Sequence, residues 1–399
     1  MPDFSVHVID SLAEFRALAG EWDALWARSH SRQPTVLSAP LANWVESFAS
    51  DRAFFTICVR YRDRLVGGLP FVRQTFRRAL PVYCLPVNCW SKSGDLLCDP
   101  DLPVTDITDV CVRAMIDHQV AALVLEDVNV DAPQWRGFRE SVKRQRGAIF
   151  EGRRNPVGFI DVLHDWDRYE ASWSSNHRGA VKRSYRKLVQ QGDLRAQCFQ
   201  TADSEQIDAL LQNAFEIENR SWKGAAGSSV LKTPSMLGFM KREAMAVANS
   251  GYLNIWFLYF NGEPIAFEYC HYAKGVVFSQ KIGYEPEYAK YGPGRLLRYL
   301  QLQQYHEDAD CRMFDMLGVL CNSKAKWATQ TYDTAKLYVA VGQTWPATVF
   351  RGVLWGRRQL EAWRGRSAIT PAHLGARRLL EANGVPASKT HDGAEPVSV

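Results

Sequence analysis

The chain is poor in the features that announce a membrane span, a metal site or a familiar hydrolase. No run of 18 or more uncharged apolar residues occurs in its 399 positions, so no transmembrane helix is expected. The start, Met1-Pro-Asp-Phe-Ser-Val-His, lacks the basic segment and apolar stretch of a secretory signal. Its nine cysteines sit singly and form no Cys-x-x-Cys pair, which argues against a zinc knuckle or a thioredoxin-like dithiol and for a reducing cytoplasmic setting. The nine histidines are scattered, and His271 reads as a packed strand residue rather than a ligand. There is no His-Glu-x-x-His, no Gly-x-Ser-x-Gly and no Walker A loop, so metalloprotease, serine-hydrolase and P-loop chemistry lack support and no metal is expected. Lys plus Arg (48) barely exceeds Asp plus Glu (43), too small an excess to name a nucleic acid by itself.

What is present is an ordinary globular composition, 46% apolar and 23% charged, in a chain long enough for two domains. Leu12, Phe15, Leu18, Trp22, Leu25 and Trp26 recur at helical spacing, and after Gln33-Pro34 a second helix is expected around 41–48. Residues 54–61 and 65–72 read as strands joined at Arg62-Asp63, and 122–128 as a buried strand. The same order returns about 200 residues later. Helices are expected at 204–220 and 234–249. Strands follow at 253–260 and 265–273 around Asn261-Gly262, then at 276–282, with a helix at 293–307 and a strand at 313–317. This pattern reads as two copies of one mixed α/β unit, joined by a linker helix at 166–193. Residues 349–366 form a basic amphipathic segment suited either to packing on the body or to peripheral contact with a membrane or partner. Residues 387–399 have the composition of a disordered tail.

Four segments carry chemistry. In Tyr291-Gly-Pro-Gly-Arg-Leu-Leu, Gly292 suits the N-cap and Pro293 the first helical position. The N–H groups of Gly294, Arg295 and Leu296 are then expected to be free at the positive end of the helix, a place for a phosphate or diphosphate. The stretch 176–187 has no acidic residue and repeats cations at Arg178, Lys182 and Arg186, a like-charge face that an anionic partner would relieve. Glu218-Asn-Arg-Ser-Trp-Lys-Gly sets Trp222 and Lys223 at a helix end, as a pocket wall or as a helix cap at Gly224. Asp315 stands in a strand, where aspartate is disfavoured, with Lys324 and Lys326 following.

Together these segments resemble the GNAT acyltransferase superfamily, and more narrowly its two-domain CelD/BcsL, FemAB-like branch, over residues 5–340. The resemblance rests on 172–188, 218–224, 291–297 and 314–327. It implies tandem GNAT-like domains of mixed α/β sheet: a degenerate copy at 1–165 walling the acceptor cleft, a copy with the cofactor site at 166–345, and the 346–399 tail. It departs from the usual diphosphate motif at Ala289, where Gln or Arg is expected. The implied activity is N-acyl transfer from acyl-CoA to an amine within a ternary complex. An acyl carrier protein or an aminoacyl-tRNA is the alternative donor, and a non-catalytic scaffold in polysaccharide assembly the alternative class. The donor's diphosphate would rest at Gly292, Gly294, Arg295 and Leu296 beside Tyr291, and its pantetheine arm near Ile282 and Gly283. Glu268 or Asp315 would serve as base and Tyr284 as acid. Arg178, Trp222, Lys223, Lys324 and Lys326 would hold the substrate.

Overall fold

A computed structural model describes residues 3–49, 53–76 and 79–365. Fourteen strands form one mixed sheet. In the first half they are β1 (Phe4–Ile9), β2 (Phe54–Tyr61), β3 (Arg64–Phe76), β4 (Leu80–Cys84), β5 (Leu97–Cys98), β6 (Ala122–Asn129), β7 (Ala148–Glu151) and β8 (Asn155–Asp161). In the second they are β9 (Leu194–Phe199), β10 (Leu253–Phe260), β11 (Glu263–Ala273), β12 (Val276–Tyr284), β13 (Met313–Asp315) and β14 (Gln330–Ala340). The strand path is β1-β2-β3-β4-β6-β14-β8-β13-β12-β11-β10-β9.

The expected duplication is legible in this path. Each half begins with four antiparallel strands, β1–β4 or β9–β12, and adds one parallel strand, β6 or β13. The β10–β11 hairpin turns on Asn261 and Gly262, both with positive φ, the backbone that an Asn-Gly turn supplies. The β2–β3 hairpin turns on Arg62, also at positive φ. At the centre the halves exchange strands: β8 pairs with β13, β14 pairs with β6, and β8 and β14 pair with each other.

Helices cover both faces. On one face, helices Leu12–Ala17, Ala19–Arg28 and Ser38–Phe48 share a core with Ser204–Arg220 and Met236–Asn249. Phe48 meets Phe239 at 4.7 Å between ring centroids, and Arg242 Nε donates to Asn43 Oδ1 at 2.7 Å. On the other face each half has its own core, under Val104–Asp117 and Pro133–Arg144 in the first and under Pro293–Glu307 and its neighbours in the second.

Two expectations change. The 166–193 linker is two helices, Trp166–Ala171 and Ser175–Val189. Ser174 ends the run by capping the second, its Oγ accepting the His177 N–H at 3.3 Å. Of the segment at 349–366, the described residues, up to Gly365, lie in the helix Trp345–Gly365, which packs Phe350 and Leu354 against the sheet and leaves Trp345, Val349 and Trp355 exposed. The tail at 387–399 lies outside the described residues. Among the described residues no helix is long and apolar enough to cross a membrane.

Candidate functional site

β12 and β13 run parallel only through Val276–Phe278 and Met313–Asp315, and then part. Beyond Phe278 the edge of β12 has no strand beside it, and a cavity of about 720 Å³ opens there. Residues 279–284 of β12 form one wall, the start of the helix Pro293–Glu307 a second, and the loop Met316–Gly318 with Lys324 and Trp327 a third. The fourth wall comes from the first half of the chain, through Asn88–Lys92 and Asp127. Lys281 Nζ lies 4.5 Å from the centre of the Trp90 ring and ties the two halves across the gap.

The register of β11 on β12 slips at Gln280: Tyr269 faces Lys281 while Cys270 faces Ser279. This bulge redirects the strand where it lines the cavity.

Gly292 is the N-cap at φ +63°, with Pro293 in the first turn. The expected trio of free N–H groups is corrected here. The Gly292 carbonyl accepts both the Arg295 N–H at 2.9 Å and the Leu296 N–H at 3.1 Å. Pro293 has no N–H, so the Gly294 N–H is the one the helix leaves for a ligand. Arg295 reinforces that end. Its Nη2 donates to Ser184 Oγ at 3.0 Å, while its Nε is buried without a partner. Burial, with Arg183 nearby, depresses its pKa.

Six cationic side chains line the cavity (Lys92, Lys223, Lys281, Arg295, Arg298 and Lys324) against one lining carboxylate, Asp127. Acids behind the wall neutralise part of this charge. Glu218 is fully buried, accepts Lys223 Nζ at 2.9 Å and the Val230 N–H at 3.0 Å, and lies 3.6 Å from Lys281 Nζ. Burial raises its pKa, but the two lysines and the amide outweigh that and hold it below the ordinary range. Asp127 pairs with Lys92 at 3.2 Å, and Glu268 with Arg298. Arg295 and Lys324 have no carboxylate among their hydrogen-bond partners, Lys324 donating to the Leu317 carbonyl.

Of the residues expected to hold the donor, Ile282, Gly283, Gly292, Gly294 and Arg295 line the cavity. Tyr291 instead donates to Gln191 Oε1 at 2.8 Å, and Leu296 is fully buried in the core, so neither belongs to the lining. Of those expected to hold the substrate, Trp222, Lys223 and Lys324 line it. Arg178 does not: its Nη1 donates to the carbonyls of Ala171 at 3.1 Å and of Glu170 and Trp173 at 3.4 Å, closing the end of the preceding helix. Lys326 is exposed outside the lining. The rest of the basic face is also engaged, Lys182 with Glu170 at 2.7 Å and Arg186 with the Lys182 carbonyl at 3.3 Å.

Tyr284 lines the cavity and is 36% exposed. Glu268 and Asp315 stand behind the wall. Glu268 Oε1 takes both the Arg298 guanidinium and the Ser279 hydroxyl. Asp315 accepts the Leu317 N–H at 2.8 Å and the Tyr332 hydroxyl at 2.8 Å, and burial raises its pKa over the opposing pull of those bonds and of Lys92 and Lys324. Their geometry fits bracing Arg298 and the Leu317 turn better than meeting a substrate.

Sequence reasoning missed the first-half wall, Asn88–Lys92 with Asp127, because an irregular loop carries no periodic signal. It also missed Ser279, Gln280, Lys281 and Arg298. It passed over Glu243, whose signal was available: Met236, Phe239, Met240, Ala244 and Val247 make one apolar helix face, and Glu243 falls on it.

The chain is thus a mixed α/β protein of two similarly ordered halves, with a cationic cavity where two parallel strands part. Residues 175–327 match the sequence model of the acetyltransferase (GNAT) domain. That span holds β12, β13, the glycine-proline-glycine corner and three of the four cavity walls. No curated protein sequence matches the chain. Among solved structures, FemX is similar over 84% of this chain and 98% of its own, at 10% identity and a TM-score of 0.55. L-PGS from Bacillus licheniformis aligns over 83% and 96% at 13% identity and a TM-score of 0.49, and a tandem GNAT protein from the clavulanic acid biosynthesis pathway over 84% and 98% at 14% and 0.43. The FemX likeness is one of fold. Among the described residues no group of three or more His, Cys, Asp or Glu is placed to hold a metal.

Proposed function

We propose that the protein is an N-acyltransferase that takes an acyl group from acyl-CoA and delivers it to an amine by direct attack. The observation that carries this reading is the cavity itself, cationic and set in the fork of β12 and β13 beneath a helix N-terminus. The donor's diphosphate would meet the Gly294 N–H and Arg295, whose orphaned Nε suits an anion. The pantetheine arm would lie along the unpaired edge of β12 past Ser279. A backbone N–H on that edge, aimed at the thioester carbonyl, would stabilise the developing oxyanion by roughly 2–4 kcal/mol. Tyr284, at the rim, would protonate the leaving thiolate. Trp222 and the Asn88–Lys92 loop would wall the acceptor.

An acyl carrier protein would present the same arm and one phosphate, so the corner serves either source. Aminoacyl-tRNA is disfavoured, because Arg178, Lys182 and Arg186 are spent on neighbouring groups of the chain. The test is calorimetric titration with acetyl-CoA and CoA, followed by thiol release in the presence of a panel of primary amines. Binding together with amine-dependent release is expected. A protein that binds no CoA derivative would end this reading.

A further inference from the structure

The cavity has two cationic ends, and they lie on opposite faces of β12. Ile282 and Tyr284 point to the face that carries the helix Pro293–Glu307, where a Cβ built on Gly294 would meet Ile282 Cδ1 at 3.4 Å and Tyr284 Cδ1 at 3.7 Å. That is the end with the glycine corner and Arg295. Alternation along the strand turns positions 281 and 283 the other way. A Cβ on Gly283 would run into the Phe267 ring, which belongs to the core shared with the helix Ser204–Arg220. Lys281 Nζ lies 3.6 Å from Glu218, in the last turn of that same helix. Residues of both ends line one cavity, so the space passes around the open edge of β12 from one face to the other.

The end away from the corner is built around a buried acid. Glu218 Oε1 accepts Lys223 Nζ at 2.9 Å and is the atom nearest Lys281, while Oε2 is taken by the Val230 N–H at 3.0 Å. Lys223 Nζ also donates to the Ile282 carbonyl at 3.3 Å, which fixes it against the strand. One carboxylate thus serves two ammonium groups, and the cluster carries excess positive charge. Trp90 comes from the first half to lie 4.5 Å from Lys281 Nζ, and Trp222, 67% exposed, completes this end of the lining. Burial depresses the Lys281 pKa; Glu218 opposes that fall and Lys223 adds to it. Cys89 also faces Lys281, and Glu243 from the helix Met236–Asn249 feels its charge. Burial lifts the Glu243 carboxyl to about 7, so at neutral pH it offsets the excess in part. The other lining cations are placed differently. Lys92 and Arg298 each have a carboxylate of their own, Arg295 stands at the corner, and Lys324 Nζ turns onto the Leu317 carbonyl.

We propose that Lys281, with Lys223 beside it, holds an anionic group of the acceptor, so that the enzyme acylates an amine that also carries a carboxylate or a phosphate. The proposal rests on the acyl-transfer reading and deepens it. The donor's diphosphate occupies the corner on one face of β12, and its thioester lies along the open edge. The acceptor comes from the opposite face, with its amine toward the edge and its anion on the two lysines. The anion supplies the counter-charge that Glu218 alone does not, in a place where burial strengthens the attraction. Glu218 sets the two ammonium groups in position before the acceptor arrives, so little of the binding energy goes to ordering them.

The experiment uses full-length protein with acetyl-CoA as donor and reads thiol release with β-alanine, O-phosphoethanolamine and the uncharged β-alaninamide. The wild type is expected to favour one of the two anionic acceptors over the amide by about tenfold in kcat/KM, and which one it favours tells carboxylate from phosphate. Lys281→Met should raise KM for the favoured acceptor about tenfold while leaving KM and kcat for β-alaninamide within about twofold. Its calorimetric affinity for acetyl-CoA should also stay within about twofold, because the donor's diphosphate binds on the other face; Lys281→Arg should keep the preference. A wild type that treats the three acceptors alike, or a Lys281→Met protein that keeps the preference or loses all acceptors equally, overturns the proposal. A protein that binds acetyl-CoA but turns over none of the three also overturns it and spares the donor site. A protein that binds no CoA derivative ends the transfer reading and this one with it.

Discussion

Replacing Glu243 by Gln should stabilise the protein above neutral pH and leave it nearly unchanged in mild acid. The carboxyl is buried, and burial lifts its value from the ordinary 4.5 to about 7 on folding. Between those values the folded protein holds a proton that the unfolded chain has released. Stability attributable to this group is therefore full below about pH 4.5 and falls as pH rises, levelling out above about 7. At about 1.4 kcal/mol per pH unit, the interval corresponds to a penalty of about 3 kcal/mol in the wild type at alkaline pH. Glutamine has nearly the same shape and cannot ionise, so it escapes that penalty. Urea unfolding of both proteins across this range isolates the effect, because every other titrating group cancels in the difference. Coincident midpoints near the acid end and a gap approaching the full penalty at the alkaline end are expected. A difference that does not change with pH would refute the reasoning.

Three further outcomes follow from the packing. Glu268→Gln strands the Arg298 charge in the protein and should cost about 3–5 kcal/mol in urea unfolding, with part recovered when Arg298→Met is added. Gly224→Ala places a Cβ 1.7 Å from the Asn219 carbonyl oxygen, so the Trp222–Ala225 turn must rebuild; near-ultraviolet dichroism should change and the melting temperature should fall by several degrees. Arg295→Ala should weaken acetyl-CoA binding by about tenfold in calorimetry and flatten its dependence on salt, because the loss is one of charge.

The parts of the fold that the sequence announces are those whose signal is local. The Asn261-Gly262 turn flanked by apolar strands, and the Gly292-Pro293 start of a helix, each declare themselves within a few residues. β14 does not. Its residues Gln330–Ala340 read as nothing in particular until β6, β7 and β8 have gathered beside them, since a central strand is defined by partners about 200 residues away. The site divides in the same way. The glycine corner and Lys223 were visible because their residue types are unusual at those places. Arg178 was misleading because a run of cations looks identical whether it awaits a ligand or caps a neighbouring helix. Glu243 lay on a legible apolar face, where a carboxylate is out of place.

The duplication also explains why the cavity stands at the seam. In the second half β12 parts from β13, and the glycine corner turns back over the opening, leaving the fork empty. In the first half the equivalent strand β4 reaches β6 only at Tyr83 and Cys84, and the loop after it reaches the other copy before β5 returns to pair with β3. In that loop Trp90 lies against Lys281 of the other copy. One copy leaves its fork open, and the other donates the loop that walls it. Neither half by itself holds both the glycine-proline-glycine corner and the Asn88–Lys92 wall, so a continuous sheet with exchanged strands is what fixes the two across one cavity.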